Sequence, residues 1–148
     1  MRSIFRAAGV AVTFLASTSV VSAAEHVVQM LNAGTDGIMV FEPGFVRASV
    51  GDTIRFVATN PGHFVQSVAT PEGVPPWVGQ FNTDFVVEVT LPGIYVYICP
   101  PHVAMGMLGV IQVDEPINLD AIQPALEELR TTVVVNPDRL DRYLGMIE

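Results

Sequence analysis

The chain has 148 residues, with 7 Lys+Arg against 15 Asp+Glu and a formal charge of −8. All seven cations are arginines, so the sequence lacks the clustered lysines and arginines with which a nucleic-acid binder neutralises phosphates. Half of the residues are hydrophobic and 15% are charged, which excludes a disordered acidic chain. The only cysteine is Cys99, so an intramolecular disulfide is excluded.

Residues 1–24 have the pattern of a secretory signal peptide. Two early arginines precede an apolar stretch, Ala7–Ala16, and small residues then lead to a cleavage site near residues 22–24. The apolar stretch is too short for a membrane span. An N-terminal anchor helix is the less favoured alternative. We therefore expect an exported mature domain, residues 25–148, that lacks a membrane span and buries a substantial core.

Short runs of β-branched and aromatic residues, separated by Gly, Pro, Asn and Asp, predict a mainly β domain over residues 25–114. Along Phe85–Leu91 every second residue is apolar, which predicts an antiparallel strand with one solvated face. The predicted strands are Glu25–Leu31, Ile38–Phe41, Phe45–Ser49, Thr53–Thr59, Phe85–Leu91, Gly93–Cys99 and Leu108–Val113. Seven strands at this spacing favour a β-sandwich with Greek-key connections.

Residues 115–148 change to helical spacing and predict two short C-terminal helices. The first apolar stripe comprises Leu119, Ile122, Leu126 and Leu129. The second comprises Leu140, Tyr143, Leu144 and Ile147. We expect Asn118 to cap the first helix, and Pro124 to kink it or to mark its start. Asn136-Pro137 predicts the start of the second helix, and both stripes are expected to pack on the sandwich.

The candidate site is centred on Cys99, at the end of a predicted strand. His102 and Met107 follow at +3 and +8, and His63 lies after an earlier strand. Each residue alone is better read as a packing or surface residue. Together, a thiolate, two imidazoles and a thioether are soft or borderline donors that select copper over Mg²⁺ or Ca²⁺. Two His and one Cys with a weak axial Met is the ligand set of a type 1, blue copper, electron-transfer site.

These motifs resemble the cupredoxins, the type 1 blue copper proteins, and the pseudoazurin group among them. The C-x2-H-x4-M pattern of the family ends at Met107, and its upstream histidine matches His63. Stretches similar to pseudoazurins are 30–34 (MLNAG), 39–43 (MVFEP) and 102–107 (HVAMGM). The resemblance covers 25–148 and implies a cupredoxin-like Greek-key sandwich or barrel with one copper ion. It also implies a soluble periplasmic monomer that shuttles single electrons between redox proteins.

The resemblance assigns the electron port to His102, within an apolar patch. The patch residues are Met39, Pro101, Ala104, Met105 and Gly106. Pseudoazurins surround this patch with lysines that dock acidic partners, but this chain has no lysine. We therefore expect a redox partner with a basic or neutral docking face, such as a cytochrome or a copper reductase. A nitrite reductase with an acidic face is disfavoured.

Two positions depart from the family pattern. The family has Asn after the upstream histidine and a hydroxyl residue after the cysteine, and these two side chains hydrogen-bond each other. Here the residues are Phe64 and Pro100. We expect the backbone N–H of Phe64 still to reach the Cys99 sulfur. The Phe64 ring is expected to make the site drier and to raise its reduction potential.

One other function and one further site are open alternatives; a metal-free binding module on the same fold is disfavoured, because His63, Cys99, His102 and Met107 are all present. A periplasmic copper chaperone or buffer on the same fold would bind copper in an open, labile site. An enzyme is disfavoured, because four protein ligands leave no open position for a substrate. If cleavage follows Ala23, the segment Ala24-Glu25-His26 could form a square-planar Cu²⁺ or Ni²⁺ site. For His26 we favour the simpler interpretation, an early strand residue.

Overall fold

The computed structural model describes residues 22–148, so the predicted signal peptide lies almost entirely outside the described residues. The strands are β1 (Glu25–Gly34), β2 (Gly37–Glu42), β3 (Phe45–Ala48), β4 (Thr53–Val57), β5 (Gln66–Ala69), β6 (Phe85–Glu88), β7 (Gly93–Ile98) and β8 (Leu108–Val113). A 3₁₀ helix spans Pro100–Met105, and two α-helices follow, α1 (Leu119–Thr132) and α2 (Arg139–Leu144). Within the described part of the chain, no helix is both long and apolar enough to cross a membrane.

The eight strands form two four-stranded sheets, with strand orders β2-β1-β4-β6 and β3-β8-β7-β5. The pairs β1–β4 and β3–β8 are parallel, and the other neighbours are antiparallel. From β2 to β7, each connection passes from one sheet to the other. This arrangement is a β-sandwich with C-terminal helices and confirms the predicted fold class.

The central strands of the second sheet, β7 and β8, are buried on both faces. Tyr95 and Tyr97 of β7, and Cys99 directly after it, lie in the core between the sheets with residues such as Phe41 and Phe56. The alternate β7 residues pack under the two α-helices, and the apolar stripes of those helices cover them. Because one face of β7 lies in each core, all six of its residues are buried. The end of this rigid strand is where the candidate site begins.

The strand predictions differ from the structure at β5 and β6. The segment Gln66–Ala69 is β5, although its polar residues gave no strand pattern; it pairs with β7 through a bulge. Strand β6 ends at Glu88, where Val89 turns to hydrogen-bond Asp52 and Gly51. Leu91 is therefore 37% exposed and does not share the buried face.

Helix α1 begins directly after Asn118, as its cap signal suggested, whereas α2 begins later than its start signal suggested. Helix α1 begins at Leu119 and continues through Pro124, so Pro124 does not mark its start. The Asn118 side chain does not cap α1, because its amide bonds both the N–H and the C=O of Ile94 in β7. Helix α2 begins at Arg139, since Asn136 adopts a left-handed backbone conformation (φ +55°).

Candidate metal centre

The loop from Cys99 to Met107 joins the neighbouring antiparallel strands β7 and β8. The Cys99 N–H donates to the Met107 carbonyl (2.9 Å), and the Met107 N–H donates to the His102 carbonyl (3.2 Å). Two prolines begin the 3₁₀ helix, where a missing N–H costs little. These contacts close the loop and hold its ends together, so the spacing of +3 and +8 places the side chains at one end of the sandwich.

The structure brings three metal-binding atoms together. Cys99 Sγ lies 3.4 Å from His102 Nδ1 and 3.7 Å from His63 Nδ1, and the two nitrogens are 3.2 Å apart. A point equidistant from these three atoms is about 2.0 Å from each, close to the metal–nitrogen and metal–sulfur distances of ~2.0 and ~2.3 Å in protein sites. The residues therefore fit a metal ion bound in a trigonal plane.

Met107 is the residue directly before β8, and its carbonyl accepts from the Cys99 N–H. Its side chain is fully buried and belongs to the same apolar cluster as Cys99. It is one of six methionines, so composition alone did not distinguish it from packing residues. Its place in the closed loop is consistent with the predicted axial ligand.

Asn32 orients the His63 ring, a role that the sequence analysis did not assign. Its Oδ1 lies 2.8 Å from His63 Nε2. Because an amide oxygen only accepts, Nε2 carries the proton, and Nδ1 is left with a lone pair toward Cys99. The Asn32 backbone is itself held by the side chain of Asn60 (2.9 Å). The sequence analysis singled out residues 30–34 for their similarity to pseudoazurins. The role of Asn32 within this stretch became clear only when the fold placed its side chain beside His63.

The turn that carries His63 is held from a second side by Asn82. Asn82 Oδ1 accepts from the Gly62 N–H (2.6 Å), and the Asn82 N–H donates to the His63 carbonyl (2.9 Å). The ligand loop and the His63 turn are thus separately anchored. His63 and Cys99 are both 0% exposed, whereas His102 is partly exposed. Of the three triangle residues, His102 alone reaches the surface.

The electrostatics of the site suit a bound cation. Burial and the neighbouring His102 ring lower the pKa of His63, which favours the neutral imidazole that metals bind. Burial raises the pKa of the Cys99 thiol, although the backbone N–H groups of Phe64 and His102 donate to the sulfur and oppose this. A buried thiol with a raised pKa is deprotonated readily when a metal ion coordinates it.

The two departures from the family pattern have clear structural places. The Phe64 N–H does reach the Cys99 sulfur, as expected from the sequence. The Phe64 ring is half-buried and packs edge-to-face against Phe81, with centroids 6.1 Å apart. Phe81 is 57% exposed, so this pair extends the apolar surface beside the His63 turn. Pro100 is the first residue of the 3₁₀ helix and stiffens the turn after Cys99.

The predicted patch around His102 is correct in part. Pro101 and Ala104 are exposed, and Met39 and Met105 are half-buried, with β2 lying against the 3₁₀ helix. Gly106, in contrast, is buried and does not belong to an exposed patch. It turns the loop with a left-handed backbone (φ +79°), and a Cβ there would lie 2.8 Å from the Val135 carbonyl.

His26 lies in β1 and faces an acidic group. Its Nε2 is 2.9 Å from Asp52 Oδ2, and the Ala24 N–H donates to Asp52 Oδ1 (2.7 Å). The Ser49 N–H also donates to this carboxylate, and these bonds lower the pKa of Asp52 to about 2. The Ala24 nitrogen is therefore engaged by Asp52, and His26 is paired with Ile54 of β4, in agreement with the interpretation of His26 as a strand residue.

The sequence comparisons identify the class of protein. Residues 28–114 match the family described as copper binding proteins, plastocyanin/azurin family. The chain belongs to this family, whose members are the cupredoxins, and its cofactor is one copper ion.

Within this family, the chain is similar to several pseudoazurins. It is 46% identical to the pseudoazurin of Paracoccus pantotrophus, over 80% of this chain and 83% of that protein. It is 36% identical to the pseudoazurin of Methylorubrum extorquens, over 92% and 93% of the two chains. The crystal structure of native pseudoazurin from Hyphomicrobium denitrificans superposes with a TM-score of 0.73 at 39% identity, and covers 84% of this chain and 98% of that one.

Proposed function

We propose that the chain is an exported carrier of single electrons between redox proteins of the periplasm. The proposed copper ligands are His63, Cys99, His102 and Met107. The observation that carries the proposal is the triangle of two imidazole nitrogens and one sulfur, with its equidistant point about 2.0 Å from each atom. Copper bound there supplies a one-electron redox change.

The protein's own contribution is to keep the donors in one geometry. Cys99 directly follows the fully buried strand β7, and Met107 directly precedes the fully buried strand β8, so neither donor can move without disturbing the core. The His63 ring is fixed by Asn32. A site that changes little between two oxidation states needs little rearrangement on electron transfer. Since four protein donors leave no open position for a substrate, the site suits a carrier rather than an enzyme.

The surface chemistry supports the proposed path and partner. His102 is the partly exposed member of the triangle, and Pro101 and Ala104 beside it are uncharged and exposed, so electrons would enter and leave through its ring. The chain has no lysine and a formal charge of −8. A basic partner would therefore be attracted, and the attraction would weaken as salt rises. A neutral partner would dock through the apolar patch with little salt dependence.

The proposal is tested by the visible absorption spectrum of the purified protein with Cu²⁺, before and after ascorbate. An intense thiolate-to-copper band that bleaches and returns on reoxidation, with copper retained, supports the carrier. The Cys99→Ser variant is the control and should lack the band. If copper instead exchanges rapidly with a chelator and the band is absent, the carrier proposal is wrong and a copper chaperone or buffer is favoured.

A further inference from the structure

The segment between α1 and α2 binds successive carbonyl groups of the copper-ligand loop. The Ala104 carbonyl accepts from two backbone N–H groups, those of Val134 and Val135, each at 2.9 Å. The Met105 carbonyl accepts from Asn136 Nδ2 at 3.3 Å. The loop between His102 and Met107 is therefore held along its outer side by the C-terminal tail.

The next carbonyl of the loop, that of Gly106, is bound by Arg139. Its Nη1 donates to the Gly106 carbonyl (2.6 Å) and to the Met39 carbonyl (2.9 Å). Its Nη2 donates to the carbonyls of Asp36 (2.8 Å) and Ile38 (3.3 Å). One guanidinium group thus joins the ligand loop to the turn between β1 and β2.

Arg139 is 0% exposed, although it carries a permanent charge. Its counter-charge is Asp36, whose Oδ2 lies 3.3 Å from Arg139 Nε and which also pairs with Arg142. Replacing a buried ion pair with apolar residues of similar volume is often neutral or stabilising, so stability alone is a weak explanation for this arginine. Its five donors in a rigid fork suit the separate task of fixing several carbonyl groups at once.

We propose that Arg139 is a positioning residue for the copper centre. Gly106 directly precedes Met107, so the hydrogen bond to the Gly106 carbonyl fixes the start of β8 and the backbone position of Met107. The turn held by the same guanidinium connects β1, which carries Asn32, to β2. Arg139 therefore ties the ligand loop to the hairpin that orients His63. This inference rests on the proposed copper ligands.

Arg142 provides a matched control. It also lies on α2 and also pairs with Asp36, at 2.9 Å between Nη1 and Oδ1. It is exposed, and its hydrogen bonds within the described residues go to Asp36 and Asp138, away from the ligand loop. If the tail matters only because α2 must be docked, conservative changes at Arg139 and Arg142 should affect the same properties.

The experiment compares Arg139→Lys and Arg142→Lys in the full chain after export. Four properties are measured: the visible spectrum, the reduction potential, copper retention against a chelator, and thermal unfolding of the metal-free protein. We expect Arg139→Lys to lower copper affinity by about 10-fold and to change the relative intensities of the visible bands. A tenfold change in the ratio of Cu²⁺ to Cu⁺ affinity shifts the potential by about 59 mV. Arg142→Lys should leave the spectrum and potential unchanged.

The inference would be overturned if Arg139→Lys had the same visible spectrum, reduction potential and copper affinity as the wild type. A change in thermal unfolding alone would not rescue it. If Arg139→Lys fails to fold, Arg139→Gln keeps an amide donor without the charge; a spectrum, potential and copper affinity of that variant equal to those of the wild type would equally overturn the inference. A wild-type protein without the thiolate-to-copper band refutes the proposed function and this inference together. A wild-type band with an unaffected Arg139→Lys variant refutes the inference alone.

Discussion

Asn32 is the residue through which the structure makes its sharpest prediction about the copper centre. Its side-chain oxygen accepts a hydrogen bond from His63 Nε2–H at 2.8 Å and so selects the tautomer with a lone pair on Nδ1. We consider two substitutions, Asn32→Leu and Asn32→Asp. Leucine removes the acceptor and keeps the volume, whereas aspartate keeps an acceptor oxygen and adds a negative charge.

The magnitude follows from the burial of the two partners. His63 is fully buried, so in Asn32→Leu its N–H loses its partner, which costs about 1–3 kcal/mol. A metal on Nδ1 requires the proton on Nε2, whereas the metal-free ring can carry its proton on Nδ1 instead, so this cost falls on the copper-bound state. At 1.4 kcal/mol per factor of ten, it corresponds to a loss of copper affinity of roughly 5- to 150-fold, in the range known for partners of metal-bound histidines. Because Asn32 itself is exposed, water can replace a truncated side chain, and Asn32→Ala should fall at the low end. In Asn32→Asp, the added negative charge favours Cu²⁺ and should lower the reduction potential.

The assay is a competition titration of copper against a chelator of known affinity, together with the visible spectrum and the potential. Gln29→Ala is the control, since Gln29 is exposed on the same strand and, within residues 22–148, its side chain bonds only the Thr59 hydroxyl. The expected order of copper affinity is wild type, then Asn32→Ala, then Asn32→Leu. An Asn32→Leu variant that binds copper as tightly as the Gln29→Ala control, with an unchanged spectrum, would refute this reasoning.

Three further predictions concern the stability of the fold, its dependence on acid pH, and the reduction potential of the copper site. Leu126→Ala removes a buried side chain between α1 and the second sheet and should lower the free energy of unfolding by about 2–5 kcal/mol in denaturant titrations, against a small change for exposed Ile117→Ala. The lowered pKa of Asp52 means that its stabilising contribution is present above the ordinary carboxyl pKa near 4 and is lost as pH falls toward about 2. In Asp52→Asn, the free energy of unfolding should therefore fall less steeply between about pH 4 and pH 2 than in the wild type. The same pH dependence in both proteins would contradict the assignment of this loss to Asp52. Phe64→Asn should lower the reduction potential in voltammetry, and an unchanged or higher potential would argue against the drying effect of the ring.

The sequence predicted those features that are local in the chain. Every second residue of β7 faces one core, and the only cysteine directly follows that strand, so the fold class and the Cys99–Met107 pattern could be inferred from spacing. The apolar stripe of α1 was also sufficient to predict a helix. Strand β5 was missed because pairing with β7, rather than its own polar residues, makes it a strand. The start of α2 was misplaced because Asn136 turns the chain to bond the ligand loop instead of capping a helix.

The contacts that orient the ligands could not be inferred, because they join residues far apart in the chain. Asn32 and His63 are 31 residues apart, and Arg139 and Met39 are 100 residues apart. A lone asparagine in a strand or an arginine in a helix has no local pattern that reveals such a partner. Arg139 in particular has the sequence signature of an exposed helix residue, since charged residues are almost never fully buried unless they are paired.

The anchoring of the site also explains how position 64 can carry an apolar ring. In the family pattern, two side chains tie the His63 turn to the residue after the cysteine. Here the backbone N–H of Phe64 bonds the Cys99 sulfur, and a backbone donor is retained whatever side chain the residue has. Asn32 and Asn82 hold the same turn from outside. Because these bonds fix the geometry, the side chain at 64 is free to change polarity, and the dryness of the site can vary while its ligand triangle stays the same.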